Sequence, residues 1–230
     1  MRTVHFRSLA LAAVAVLTFA SSGAAEERAA GLLNNLEVRQ LIARGKPGDQ
    51  ARLSAHFTAL ADRYAAEAKR HVSMSPSLIG NPSRNLSTGM SAHCNQLANL
   101  NTQSETAVRE LAAYHAKLAG GTPATPPTNG AWFQSGAGAP EPTERELSAL
   151  AETASTPSEH RGLEEYFATL AKRYTRDAEQ HAQFAAAYRN SPRIAQVAVT
   201  HDRLAELSRD AAKEATAAAE MHKQLAGVGR

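Results

Sequence analysis

Two short runs hold most of the side chains that could bind a metal ion. The first is His71-x-x-Met74 and the second is Met90-x-x-His93-Cys94. If both runs are helical, the i, i+3 spacing sets His71 beside Met74 and Met90 beside His93. Imidazole, thioether and thiolate together suit soft or borderline ions, Cu(I) before Zn(II) or Ni(II). His71, Met74, Met90, His93 and Cys94 are therefore the candidate metal ligands. A plainer reading competes with this one. A histidine on a seam of alanine, leucine and tyrosine is usually a packed core residue, and methionines beside a loop are ordinary gap-fillers. Packing is the favoured expectation, with no resident cofactor; copper or zinc binding is the alternative.

The remaining histidines are spread with some regularity. Leaving out His5, His56, His71, His93 and His115 lie in one half of the chain, and His160, His181, His201 and His222 in the other. Glu67 and Asp177 each precede a histidine, His71 and His181, by four residues, so acid and imidazole share a helix face. Such pairs orient imidazoles for metals or for proton transfer, and they also occur as ordinary polar pairs in bundle cores. Di-iron bundles want Glu-x-x-His with further inward glutamates, which the chain does not supply. It carries no nucleophile elbow, Walker loop, dinucleotide fingerprint or haem-attachment motif. His93 and Cys94 are helix neighbours that point apart, so they form no nucleophile–base pair. The expectation is a protein without catalytic residues. Cys94 is the lone cysteine, so no internal disulfide forms. It is left as an inert core thiol, a bridge between chains or a soft ligand.

The elements that position these residues come from one stretch used twice. Leu53–His71 reads LSAHFTALADRYAAEAKRH and Leu163–His181 reads LEEYFATLAKRYTRDAEQH. Leu53/Leu163, Phe57/Phe167, Leu60/Leu170, Tyr64/Tyr174 and His71/His181 coincide. Apolar positions stepping by 4, 3 and 4 make the seam of a helix packed along another helix. Each copy has a short helix before it (26–43 and 144–154) and a long partner helix after it (90–119 and 194–226). Pro76, Gly80, Pro82 and Gly89 mark 73–89 as a loop, with His71 and His93 at similar heights on either side of that hairpin tip. Lys46-Pro47-Gly48-Asp49 and Thr156-Pro157-Ser158-Glu159 are matching helix starts. The fold expected is all-α: two homologous antiparallel helical hairpins, 26–119 and 144–227, in one four-helix bundle with two short flanking helices. Between them 120–143 is a Pro/Gly-rich linker in which Trp132 and Phe133 either dock on the helices or serve as a hook for a partner.

Phe57-x-x-Leu60-Ala61-x-x-Tyr64 ending at His71, then His93-Cys94-x-x-Leu97 and Ala113-x-His115-x-x-Leu118-Ala119, resembles uncharacterised exported bacterial proteins built of helical hairpins. The resemblance covers 49–120 and, more loosely, 158–227, where Thr200-His201 departs from it. It implies a fold and a Gram-negative periplasmic address, and no activity.

Arg2 and Arg7, an apolar run over 9–19 and the small residues 21–25 read as a secretory signal peptide cleaved near Ala25. Its removal takes Lys and Arg from 25 to 23 against 22 Asp and Glu, so the mature chain is close to neutral. With no basic tract interleaved with aromatics, nucleic acid is not an expected partner. No transmembrane anchor is expected after processing. A homodimer through Cys94 or through the hairpins is the self-association the sequence allows. The functional expectation is an exported, non-enzymatic helical-bundle protein with a binding or envelope role, in the periplasm or outside the cell. The alternative is a periplasmic metal-binding protein using the five residues named above.

Overall fold

The structure is a computed structural model, and it describes residues 32–81, 84–120, 142–190 and 194–227. Residues 1–25, expected to be a signal peptide, and Trp132 and Phe133 lie outside them. The described residues form six helices and no strand: α1 (Asn35–Arg44), α2 (Pro47–Gly80), α3 (Arg84–Leu118), α4 (Glu144–Thr153), α5 (Pro157–Arg189) and α6 (Ala195–Gly227). The fold is all-α. α2 packs along α3 and α5 along α6, and the two hairpins join through α3 and α6.

Local chemistry sets the helix starts. Asn34 accepts from the Glu37 backbone N–H while Glu37 accepts from Asn34 N–H, a reciprocal cap at the head of α1. Thr143 with Glu146, and Thr156 with Glu159, do the same for α4 and α5. α2 starts on Pro47, where a missing N–H costs nothing, and Asp49 accepts from Lys46 N–H while pairing with Arg44. Gly45 closes α1 at φ 63°, a left-handed conformation that disfavours a side chain.

Two expectations fail. The first short helix, expected over 26–43, begins only at Asn35, because the Asn34 cap stops it from extending back through 32–34. The 73–89 stretch is not a loop: α2 runs through Pro76 to Gly80, and α3 already begins at Arg84. An internal proline removes one backbone hydrogen bond and costs a helix about 3 kcal/mol. Tertiary contacts offset it. Met74, Ser75 and Leu78 are buried on one face, and the hydroxyls of Ser75 and Ser91 are 2.8 Å apart across the α2–α3 seam. Just beyond the helix, the Asn81 side-chain amide donates to the carbonyls of Ala151 and Ala154 at the end of α4. The hairpin tip therefore falls after Gly80, and His71 sits roughly 15 Å below it at 1.5 Å per residue.

α2 and α3 approach closely, since Ser54 Oγ reaches the Ala112 carbonyl at 2.9 Å. α2 and α5 instead face each other across a wider gap spanned by long side chains. The two short helices bridge this gap at opposite ends. α1 contacts α2 and α5, burying Val38, Leu41 and Ile42, and Leu33 N–H donates to His56 Nδ1. α4 also contacts both, burying Leu147 and Ala151, with Glu144 paired to Lys69. The short helices thus complete a core that a bare four-helix arrangement would leave open on one side.

Candidate functional site: a histidine-lined core

The middle of the α2–α5 gap is closed by two crossed ion pairs. Arg63 on α2 donates to Asp177 on α5 at 2.6 Å, and Arg173 on α5 donates to Glu67 on α2. Adding the 110-residue repeat interval to Arg63 and Glu67 gives Arg173 and Asp177, so the pairs are the same contact seen from each repeat. Tyr64 leans on Asp177 at 3.4 Å, and Tyr166 donates to Glu67 at 2.8 Å. Burial pushes the Glu67 pKa up, but Arg173, His71 and Arg70 outweigh it and hold the carboxyl down to about 2. Glu67 is thus a carboxylate inside the core.

Around this centre the histidines occupy four matched stations between paired helices. On α5, His160 and His181 are 21 residues apart; on α6, so are His201 and His222. Three heptads keep both members on one face of a supercoiled helix. In an antiparallel hairpin the equal intervals bring both ends into register. His181 Nδ1 lies 3.2 Å from His201 Nδ1, and His160 Nδ1 lies 3.3 Å from His222 Nδ1. The first hairpin has the same stations with other residues. Gln50 replaces His160, and its Oε1 meets His115 Nδ1 at 2.6 Å. Cys94 replaces His201 at the station of His71.

Aromatic rings fill the spaces between stations. Phe57 lies against His56, His115 and His201 with centroids 5.0–5.5 Å apart. Tyr188 stacks on His201 at 5.2 Å and contacts His115 Nε2 through its hydroxyl at 2.9 Å. Phe167 lies between His71 and His222. Phe57 thus sits among three of the imidazoles, with His181 reached through its pair with His201. Among the described residues, no group of three or more His, Cys, Asp or Glu side chains is arranged to hold a metal ion.

Burial decides the protonation of these rings. It pushes His56 and His222 down to about 3, and His71, His115 and His181 down to about 4. His201 is lowered by burial and then by His181, His115 and His56; His160 is lowered by burial against the opposing charge of Glu159. At neutral pH these imidazoles are uncharged. Each paired Nδ1 contact then needs one N–H donor and one bare acceptor nitrogen.

The five predicted ligands are divided. His71, Met74, Met90 and Cys94 are buried in the α2–α3 half of the core, with His71 and Cys94 at 0% exposure. His93 turns away to the α3–α6 seam, where its Nδ1 lies 2.6 Å from Glu214 Oε2. The group does not flank a loop at the hairpin tip, since both helices extend past it. Burial pushes the Cys94 thiol up to about 12, so it is protonated and closed off from a second chain while the bundle is shut. That geometry argues against an interchain bridge. The predicted acid–histidine pairs divide too. Glu67 Oε1 is 3.7 Å from His71 Nε2, while Asp177 is engaged by Arg63 and Tyr64. Missed at the sequence level were the His160/His222 and His181/His201 pairs, whose signal was the repeated 21-residue interval.

No family model, curated protein or solved structure matches the chain. No helix among the described residues is long and apolar enough to cross a membrane.

Proposed function

We propose that the chain is an exported, non-enzymatic helical-bundle protein with a binding or envelope role, working in the periplasm or outside the cell. The signal-peptide pattern and the resemblance to exported helical-hairpin proteins support the address. One observation carries the non-enzymatic reading. The side chains best suited to acid–base chemistry are turned inward and engage one another, as in Glu67 with Arg173 and Tyr166, or His181 with His201. An active site instead needs such groups within reach of a substrate proton.

A second reading is favoured by His71 alone. Both of its ring nitrogens are buried without a hydrogen-bond partner, in the hairpin that also buries Met74, Met90 and Cys94. A buried polar group in that state calls for an explanation, and a soft metal ion is one. In this reading His71 and Cys94 hold Cu(I) or Zn(II) with the two thioethers, and His93 takes no part.

One preparation tests both readings. The protein is recovered from the exported fraction without an affinity tag, its N-terminus is sequenced and its metals are measured. It is then titrated, reduced, with Cu(I) against a competing chelator, beside Cys94→Ser. The leading reading expects a start at Ala25 or Glu26, no retained metal, and parent and variant alike. A chain still beginning at Met1 overturns the address. Retained copper near one ion per chain, abolished in Cys94→Ser, overturns the first reading in favour of the second.

A further inference from the structure

We propose that the second hairpin is a proton-operated clasp: on acidification the α5–α6 seam parts at its two histidine pairs at a higher pH than the α2–α3 seam, which lacks them. The geometry distinguishes the hairpins at every station. The second has imidazole against imidazole twice, 3.2 and 3.3 Å apart. The first has Gln50 against His115, and Cys94 at the station of His71.

The order of proton uptake follows from what surrounds His181 and His201. Facing them are Arg63, Tyr64 and His56 from α2, His115 from α3, and Asp177 and Tyr188 from α5. His181 Nε2 lies 3.5 Å from the Tyr64 hydroxyl, and Tyr64 in turn reaches Asp177. The first added proton is placed at His181 Nε2, where the Tyr64 oxygen accepts from the new N–H and its hydroxyl hydrogen turns to donate to Asp177. The Nδ1–H···Nδ1 bond between the rings survives that step. The second proton has to go to the bare Nδ1 of His201. Both rings then carry N–H groups and positive charge at a 3.2 Å contact, and the bond is lost. His160 and His222 meet the same limit, with Glu159 beside His160 and His71 beyond Phe167.

The first hairpin lacks this weakness. His115 donates from Nδ1 to Gln50 Oε1, and a proton added at Nε2 is met by the Tyr188 hydroxyl, which turns from donor to acceptor. Both bonds persist with the ring charged.

Hydrogen exchange read by mass spectrometry on the mature chain, stepped downward from neutral pH and corrected for intrinsic exchange, tests the clasp. Peptides from α5 and α6 are expected to lose protection at a higher pH than peptides from α2 and α3. Replacing His160→Gln and His201→Cys gives the second hairpin the first one's residues, and the offset between hairpins should vanish. Gln50→His runs the test in reverse, creating an imidazole pair with His115, and α2–α3 peptides should then open earlier than in the parent. Simultaneous loss of protection across both hairpins in the parent overturns the proposal. So does an offset that persists in the double variant, or a Gln50→His chain whose α2–α3 opening is unmoved.

Discussion

Lowering the pH of the mature protein from 7 to about 5 is expected to remove most or all of its folding stability. The cause is the set of buried histidines. An unfolded histidine titrates near 6.5, whereas burial holds His56 and His222 at about 3 and His115 and His181 at about 4. Between these values the unfolded chain binds protons that the folded chain refuses. Stability therefore rises with pH through this window and is lost as pH falls below about 6.5. At pH 5 each such ring costs about 2 kcal/mol relative to neutral pH. The four together come to about 7 kcal/mol, within the ordinary stability range of about 5–15 kcal/mol, and His201, also lowered by burial, acts in the same direction. Carboxylates do not explain a loss in this window. Glu67 has its pKa depressed to about 2, so its stabilisation is complete above the unfolded carboxyl value and is lost only as pH falls towards 2. Urea midpoints followed by circular dichroism from pH 7.5 to 4.5 provide the check. A midpoint that stays flat down to pH 5 would show that the rings are not buried as described.

Glu67→Ala is expected to cost about 3–5 kcal/mol, the range for removing one member of a buried ion pair. The Glu67 side chain is 1% exposed, and Arg173, Arg70 and Tyr166 all donate to it. Truncation leaves a cavity and removes the negative charge those guanidiniums share. Asp177→Ala breaks the symmetry-related pair and should cost less, because Arg63 is 25% exposed and water can compensate in part. Asp210→Ala breaks a solvent-exposed pair with Lys213 and should cost under about 1 kcal/mol. Urea denaturation at pH 7.5 ranks the three. If Glu67→Ala proves no worse than Asp210→Ala, the crossed pairs do not hold the α2–α5 gap.

The duplication made most of the fold legible. Phe57/Phe167, Leu60/Leu170 and Tyr64/Tyr174 repeat with helical spacing, and all six side chains are buried. The matching helix starts at Lys46–Asp49 and Thr156–Glu159 were equally plain, although the caps are Lys46 and Thr156, and Asp49 and Glu159 reach back from the third helical position. Pro76 misled because proline and glycine act locally, whereas α2 is held past Pro76 by Ser91 on α3 and by α4, contacts far away in sequence. The bridging role of α1 and α4 was hidden for a related reason: their apolar faces show that they pack, not that they span α2 and α5.

The candidate site was half legible. Softness of ligand drew attention to His71, Met74, Met90, His93 and Cys94, and four of these are core residues. The direction of His93 is set by Glu214, which lies 121 residues away. The equal intervals from His160 to His181 and from His201 to His222 were present in the sequence. They acquire meaning only once α5 and α6 are known to be antiparallel in that register.

The central claim, that the bundle is built around uncharged histidine rings, is tested most directly by nitrogen-15 NMR of the imidazoles across a pH titration. For His56, His115, His181, His201 and His222 the ring shifts should stay those of neutral tautomers from pH 7.5 to below 6, without a titration step near 6.5. Ring signals of these five moving together through a midpoint near 6.5 while the protein remains folded would contradict it.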